Sequence, residues 1–269
     1  YEAQRFIEIV PSQDAMMNKF DGTRFAVLAD IHGNADALST VLHDIDRQEI
    51  ASVVNLGDHV SGPLAPRETA EILMAREFIS ITGNHDRLVL GGAKGEMSSI
   101  DIVAAQQLGT THLNWLRLQP PNIHLTEEVF ACHGTPSSDT AYWLEHVTPL
   151  GEVVLRNRSG IEGEAAGLPG TLFLCGHTHI ARRIDLSDGR CVVNPGSVGC
   201  PAYGDSSPHT HTIQNGTATA AYAIVEASAY GWVTSFRRLP YEASRMIEMA
   251  IAHNHPQWVE RLRSGWLSL

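Results

Sequence analysis

The chain has 269 residues, 43% of them hydrophobic and 18% charged, with a formal net charge of -11. This composition supports a sizeable core and excludes a disordered or low-complexity chain. The acidic balance repels a phosphate backbone, which disfavours nucleic acid as a partner. Residues 1–22 read as an N-terminal extension and 23–269 as one domain. Residues 24–29 are short, apolar and followed by a break, the pattern of a buried strand. Asn34 then reads as an N-cap, and Leu38, Val41, Leu42 and Ile45 follow at helical spacing. The pattern repeats: a strand over 51–56, a helix over 66–76 with Pro66 near its start, and a strand over 78–82. Residues 99–118 read as largely helical, stopped by Pro120-Pro121. Strands are expected at 129–132 and 171–175, and a hairpin over 180–193 turning at Ser187-Asp188-Gly189. The stretch 135–170 reads as irregular, with a short helix near Tyr142, and 201–216 as a mobile loop carrying solvated His209 and His211. Strands at 219–225 and 232–238 and a helical segment over 241–267, interrupted near Pro256, complete the chain. Alternating strands and helices imply an α/β class with a mostly parallel sheet covered on both faces.

Four cysteines are present and none forms a CxxC pair, which excludes a zinc knuckle or thioredoxin-like motif. Cys132 and Cys175 read as buried free thiols, and a reducing, cytoplasmic setting is expected. No run of about 18 apolar residues suggests a membrane span. No secretory leader is read, although the sequence starts at Tyr1 rather than Met.

Five apolar strands each run into a loop that carries Asp, Asn or His within its first residues. In open α/β sheets ligands bind beyond the carboxyl ends of the strands, so these loops converge. They bring together Asp30, His32, Asp58, Asn84, His85, His133, His177 and His179. The donor types suit two divalent ions. Asp30 and His32, and likewise His177 and His179, are two apart, so extended backbone would point each pair to one side. One carboxylate such as Asp58 can bridge two ions, and imidazole, carboxylate and amide donors suit Mn, Fe or Zn. Two ions about 3.5–4 Å apart clamp the oxygens of an in-line displacement and acidify a shared water.

Asp30-Ile31-His32-Gly33-Asn34, Gly57-Asp58, Gly83-Asn84-His85-Asp86, His133-Gly134 and Gly176-His177-Thr178-His179 resemble, in order, the motif blocks of the calcineurin-like metallophosphoesterase superfamily. Asn194-Pro195-Gly196-Ser197-Val198-Gly199 resembles its small bacterial and archaeal phosphodiesterase branch. The resemblance implies a four-layer α/β/β/α sandwich with two facing mixed sheets. It implies that Asp30, His32 and His179 hold one metal, that Asn84, His133 and His177 hold the other, and that Asp58 bridges. His85 is then left to contact the phosphate and protonate the leaving oxygen, with Asp86 expected to orient it. The implied reaction is hydrolysis of a small phosphoester by a hydroxide bridging two metals.

The second block departs from the protein serine/threonine phosphatase pattern GDxxDRG. Ser61 and Gly62 stand where that pattern has Asp and Arg. This argues for small phosphoester or nucleotide substrates over phosphoproteins. Phosphate binding then falls to other groups: Arg182, three residues after His179, His59 beside Asp58, and the helix N-terminus near Asn34. A dinucleoside polyphosphate hydrolase is the alternative, with walls from 88–119 and 135–170. A non-catalytic scaffold of the same fold is a second alternative, disfavoured because all seven ligand positions are filled.

Overall fold

The computed structural model describes residues 20–91 and 97–267. Of the expected N-terminal extension, residues 1–19 lie outside the described residues. Strand β1 (Arg24–Leu28) shows how the layers arise. Its side chains alternate between two apolar environments. Phe25 and Val27 face a core that also takes Val129, Ala131, Leu172 and Val193. Ala26 and Leu28 face a different core, containing Leu38, Val41, Leu42 and Ile45 of helix α1 (Ala35–Arg47). A strand covered on both sides has no polar face, which is why its sequence reads as a continuous apolar run.

The first sheet has the order β14-β13-β1-β2-β3, with β2 at Ser52–Asn55, β3 at Ile79–Ser80, β13 at Ala220–Ser228 and β14 at Gly231–Leu239. The pairs β1/β2 and β2/β3 are parallel, and β13 is antiparallel to both its neighbours. The second sheet has the order β4-β5-β8-β10-β9, with β4 at Asn122–His124, β5 at Val129–Cys132, β8 at Leu172–Leu174, β9 at Arg182–Asp185 and β10 at Cys191–Asn194. Here β5, β8 and β10 are parallel, flanked by antiparallel β4 and β9. The outer face of the second sheet buries Phe130, Phe173 and Val192 against Trp143, Leu144 and Ile161, the last from helix α6 (Arg158–Glu164). Burying each such side chain contributes about 1.5–3 kcal/mol, so the facing sheets and their outer layers are held mainly by apolar burial. This is the expected four-layer α/β sandwich with two facing mixed sheets.

Several local expectations give way. The helix expected over 99–118 is two helices, α4 (Ser99–Gln107) and α5 (Thr110–Arg117), because Gly109 serves as the N-cap of the second. The region 135–170 contains a small sheet, β6 (Glu145–Val147) with β7 (Val153–Leu155), and α6, but no helix at Tyr142. The expected loop 201–216 is a β-hairpin, β11 (Ala202–Asp205) with β12 (His211–Gln214). His211 is buried in it, 2.8 Å from the Tyr142 hydroxyl, while His209 stays exposed. The remaining helices are α2 (Pro66–Met74), α3 (Asn84–Val89), α7 (Ser244–Ala252) and α8 (Trp258–Ser264). Among the described residues no helix is long and apolar enough to cross a membrane.

A candidate metal centre

The carboxyl ends of β1, β2, β3, β5 and β8 meet at one point between the two sheets. The backbone stitches them together there. Asp30 N–H donates to Gly57 O, Gly176 N–H to His133 O, and Gly199 N–H to Asp30 O. The Ser197 hydroxyl also donates to Asp30 O, at 2.7 Å. Asn194 braces the loop after β8, donating to Gly176 O and to the Thr178 hydroxyl.

The chain enters this point in an unusual conformation. Asp30, His32, Asp58, His177 and His179 all have positive φ, between 51° and 68°. Side chains disfavour this left-handed region by about 1–2 kcal/mol each, and such strain concentrates at functional sites. The expectation of extended backbone at Asp30-Ile31-His32 and His177-Thr178-His179 is therefore corrected. Paired left-handed residues, not a strand pleat, aim these side chains.

Seven side chains converge. Asp58, His133 and His177 present possible ligand atoms within 4.8 Å of one another, and so do Asp30, His32 and Asp58. Asp58 belongs to both groups. Asn84 joins the first, with its Oδ1 3.1 Å from His133 Nε2, and His179 the second, with its Nε2 3.5 Å from Asp30 Oδ1.

The hydrogen bonds behind these side chains set the tautomers. His32 Nδ1 faces Ser61 O, His133 Nδ1 faces Leu56 O and His179 Nδ1 faces Cys200 O, at 2.6–2.8 Å. His177 Nε2 faces Thr140 O. A carbonyl only accepts, so each of these nitrogens carries a proton, and on the rings of His32, His177 and His179 the opposite nitrogen offers a lone pair to the centre. Acceptors consequently crowd acceptors. His32 Nε2 is 3.3 Å from His179 Nε2, while His133 Nε2, 3.3 Å from Asp58 Oδ2, faces the carboxylate as a cation. Asp30 Oδ2 and Asp58 Oδ2 are buried without a hydrogen-bond partner. Lone pairs and orphaned carboxylate oxygens at this density call for cations, and the donor set fits divalent transition metals.

The proton equilibria agree with that reading. Burial lowers His32 to about 4 and His177 to about 3, and holds His179 well below the usual imidazole range, so all three stay neutral. Burial raises Asp30 to about 8. Burial works to raise Asp58 as well, but the imidazoles of His133 and His85 hold it well below the usual carboxylate range. Burial opposes charge on His133, yet the Asp58 carboxylate lifts it to about 10. A proton on His133 thus stands where a cation would, and metal loading is expected to displace it. Calorimetric titrations in two buffers of different ionisation enthalpy should report proton release, and loading should raise the melting temperature. Saturation at a hundred times Kd is worth about 2.7 kcal/mol.

His85 sits at the edge of the centre, a quarter exposed, with Nδ1 2.7 Å from Asp101 Oδ1. Burial opposes its charge, but Asp58 and Asp101 raise it to about 9. Asp86, expected to orient His85, does something else. It accepts from the backbone N–H groups of Asp58, His59 and Gly83 and contacts His59 Nδ1 at 2.6 Å, binding the second block to the third. The orienting carboxylate is Asp101, which also accepts from Ser61 Oγ, Ser98 Oγ and Ser98 N–H. Ser61 stands where the phosphoprotein pattern has Asp, and it touches the carboxylate supplied by α4. Gly62 stands where that pattern has Arg, and a Cβ there would meet the His32 carbonyl oxygen at 2.2 Å. The departure has a steric reason.

Three expected substrate contacts are not found at the centre. Arg182 is held by buried Glu145 at 2.8 Å and faces neither cavity beside the centre. His59 is fully buried against Trp115, with ring centroids 5.3 Å apart. Asn34 caps α1 through Ala37 N–H and is sealed by Gly199 O and the Tyr241 hydroxyl. Two residues absent from the sequence expectations lie at or beside the centre. Cys200 Sγ is within 4.8 Å of the ligand atoms of His32 and His179, though burial raises its thiol to about 11. Arg261 of α8 lines a cavity beside the centre, next to Trp258.

Two cavities flank the centre. One, of about 580 Å³, is lined by His85, Asp101, Tyr203, Trp258 and Arg261 among others. The second, of about 640 Å³, is lined by Tyr142, Glu145, His146 and Arg156 among others. Both reach Asn84 and His177.

Comparison with known proteins agrees with this arrangement. Residues 24–216 match the calcineurin-like phosphoesterase superfamily domain. The chain belongs to that family. The uncharacterized protein MJ0912 of Methanocaldococcus jannaschii is 26% identical over 262 residues, covering 89% of this chain and 97% of that protein. A metallophosphoesterase from Sphaerobacter thermophilus superposes with a TM-score of 0.69 at 25% identity, covering 90% of this chain and 100% of that one. The hypothetical protein PH1004 from Pyrococcus horikoshii OT3 shares the fold, with a TM-score of 0.69 at 20% identity over 91% of this chain and 99% of that one.

Packing at the third block yields a further expected outcome. A Cβ at Gly83 would lie 2.1 Å from Asp58 Oδ1 and 2.6 Å from Asp58 N. Gly83→Ala must therefore push Asp58 out of place. The variant is expected to lose about 1–3 kcal/mol in chemical denaturation and to bind metal weakly. Wild-type stability and metal content in this variant would contradict the geometry.

Proposed function

We propose that this member of the family is a hydrolase of small phosphoesters, a phosphodiesterase or phosphatase, that works with two divalent transition-metal ions of the Mn, Fe or Zn kind. The observation that carries the reading is the convergence of inward imidazole nitrogens on two buried carboxylates, each with one oxygen lacking a hydrogen bond. Asp30, His32 and His179 would hold one ion, Asn84, His133 and His177 the other, with Asp58 shared. Bound there, the ions would supply positive charge that acidifies water and neutralises the non-bridging oxygens of the phosphate.

The chain's own residues supply the rest. Backbone carbonyls behind the four imidazoles keep their lone pairs aimed inward, so little reorganisation is needed on loading. Asp101 holds a proton on His85 Nδ1 and turns Nε2 towards the cavity, where a protonated imidazole can donate to a departing oxygen. A cavity on either side of the centre suits an ester with two organic arms, which favours diesters. The filled ligand set argues against a scaffold role. Four unpaired, buried cysteines support a reducing compartment such as the cytoplasm.

The test is hydrolysis of bis(4-nitrophenyl) phosphate and 4-nitrophenyl phosphate by chelated protein and by protein reloaded with Mn, Fe or Zn. Turnover should return only on reloading, with the diester preferred. Equal rates with and without metal would end the proposal.

A further inference from the structure

The 580 Å³ cavity holds one permanent cation among its described lining residues, Arg261. It comes from α8, beyond residue 216 where the family match ends. Its guanidinium lies 5.2 Å over the Trp258 ring, and Trp258 in turn packs edge-on against His32, centroids 6.4 Å apart. This stack sets the guanidinium beside the His32 flank of the centre. Guanidinium groups are usually paired when they approach burial. Here Nε is buried without a hydrogen-bond partner, and no described carboxylate forms an ion pair with the group. The nearby acids are engaged elsewhere. Glu260 accepts from Ser264 Oγ, Asp205 accepts from the N–H groups of Ser206 and Ser207, and Asp101 is held by His85, Ser61 and Ser98. The Cys200 thiol is the guanidinium's side-chain hydrogen-bond partner, and a cation fixed by stacking, without a carboxylate and facing a cavity beside the centre, is built to receive an anion.

We propose that Arg261, stacked on Trp258, is a clamp for a second anionic group of the substrate, a phosphate carried on the arm that occupies this cavity. The proposal rests on the phosphoesterase reading and deepens it. It assigns the site to esters whose arm continues as a phosphate chain, as in nucleoside or dinucleoside polyphosphates, over esters with uncharged arms. Arg261 does the work for which Arg182 lies in the wrong place. The stacking fixes the guanidinium plane in advance, so little side-chain freedom is lost on binding.

The experiment compares Arg261→Gln and Arg261→Lys with wild type, metal-loaded, on two substrates. One is bis(4-nitrophenyl) phosphate, whose arms are neutral; the other is diadenosine tetraphosphate. Arg261→Gln should lower the ratio of kcat/KM for the polyphosphate over the neutral diester by about tenfold to a hundredfold, the loss expected for one charge-assisted contact. Arg261→Lys keeps the charge and should retain most of the ratio. An unchanged ratio in Arg261→Gln overturns the proposal, whether or not both activities fall together. A loss as deep in Arg261→Lys overturns it as a charge clamp. A binding measurement separates this from failure of the phosphoesterase reading. Calorimetric titration of the protein as purified with inorganic tripolyphosphate should show at least about tenfold weaker binding in Arg261→Gln. That result would support the clamp even if wild type hydrolyses neither ester, and equal affinities would sink it.

Discussion

Asp58→Asn is expected to lower turnover by about 10³-fold or more and to leave the purified protein short of metal, while the metal-free fold survives. The expectation follows from what each oxygen of Asp58 does. Oδ1 accepts from the His85 N–H at 2.9 Å, and an asparagine oxygen can replace it there. Oδ2 lies 3.3 Å from His133 Nε2 and 3.7 Å from His32 Nε2, the two sides of the centre. An amide NH₂ at that position can donate to His133 but cannot coordinate a cation. On the proposed reading, the substitution replaces a shared charged ligand by a group that satisfies the metal-free site. Metals contribute several kcal/mol to such transition states, and each 1.36 kcal/mol is a factor of ten in rate. Elemental analysis, diester hydrolysis and thermal melts of the chelated proteins would be read together. Wild-type metal content and turnover in the variant would refute the assignment. A collapse of the chelated variant alone would show instead that Asp58 is needed for folding.

The centre was legible from the sequence because five buried, mostly apolar strands stop abruptly at polar loops. Residues such as Phe25 and Ala26 point to opposite cores, so the polar Asp30 marks the strand end without ambiguity. Asp30, His32, Asp58, Asn84, His133, His177 and His179 could be picked out by that position, and the structure brings them together. The means of aiming them was not legible, because left-handed φ at five non-glycine residues is imposed by the stitched loops. Asp101 was missed for a related reason. Ser98 and Asp101 form a capping box that can be read locally, yet the same carboxylate reaches His85 across sixteen positions. Arg182 was chosen for its closeness in sequence to His179, but β9 carries it to Glu145. Arg261 arrives from a distant helix, and only packing against His32 through Trp258 reveals its place. The hairpin β11/β12 was read as a loop because its strands, Ala202–Asp205 and His211–Gln214, are four residues each and largely polar.

The second large effect concerns the proton on His85. His85→Gln is expected to lower kcat by about 10²–10⁴-fold for an ester with a poor leaving group. The loss should be much smaller for a 4-nitrophenyl ester, whose phenolate departs without help. Asp101→Asn tests the same proton from behind, since Asp101 contacts His85 Nδ1. Burial disfavours charge on His85, and Asp58 and Asp101 together overcome it. Removing the Asp101 charge must therefore lower the imidazole's pKa. With His85 as the proposed proton donor, the acid form works, so activity persists below that pKa and falls as pH rises through it. The falling limb of the kcat profile should accordingly move to lower pH in Asp101→Asn, and it should vanish in His85→Gln. Ser61 Oγ and Ser98 still contact the substituted side chain, so the fold has no reason to change. If His85→Gln loses equally on both leaving groups, or if the limb in Asp101→Asn stays where it was, His85 is not the proton donor. Its part would then be confined to binding the phosphate.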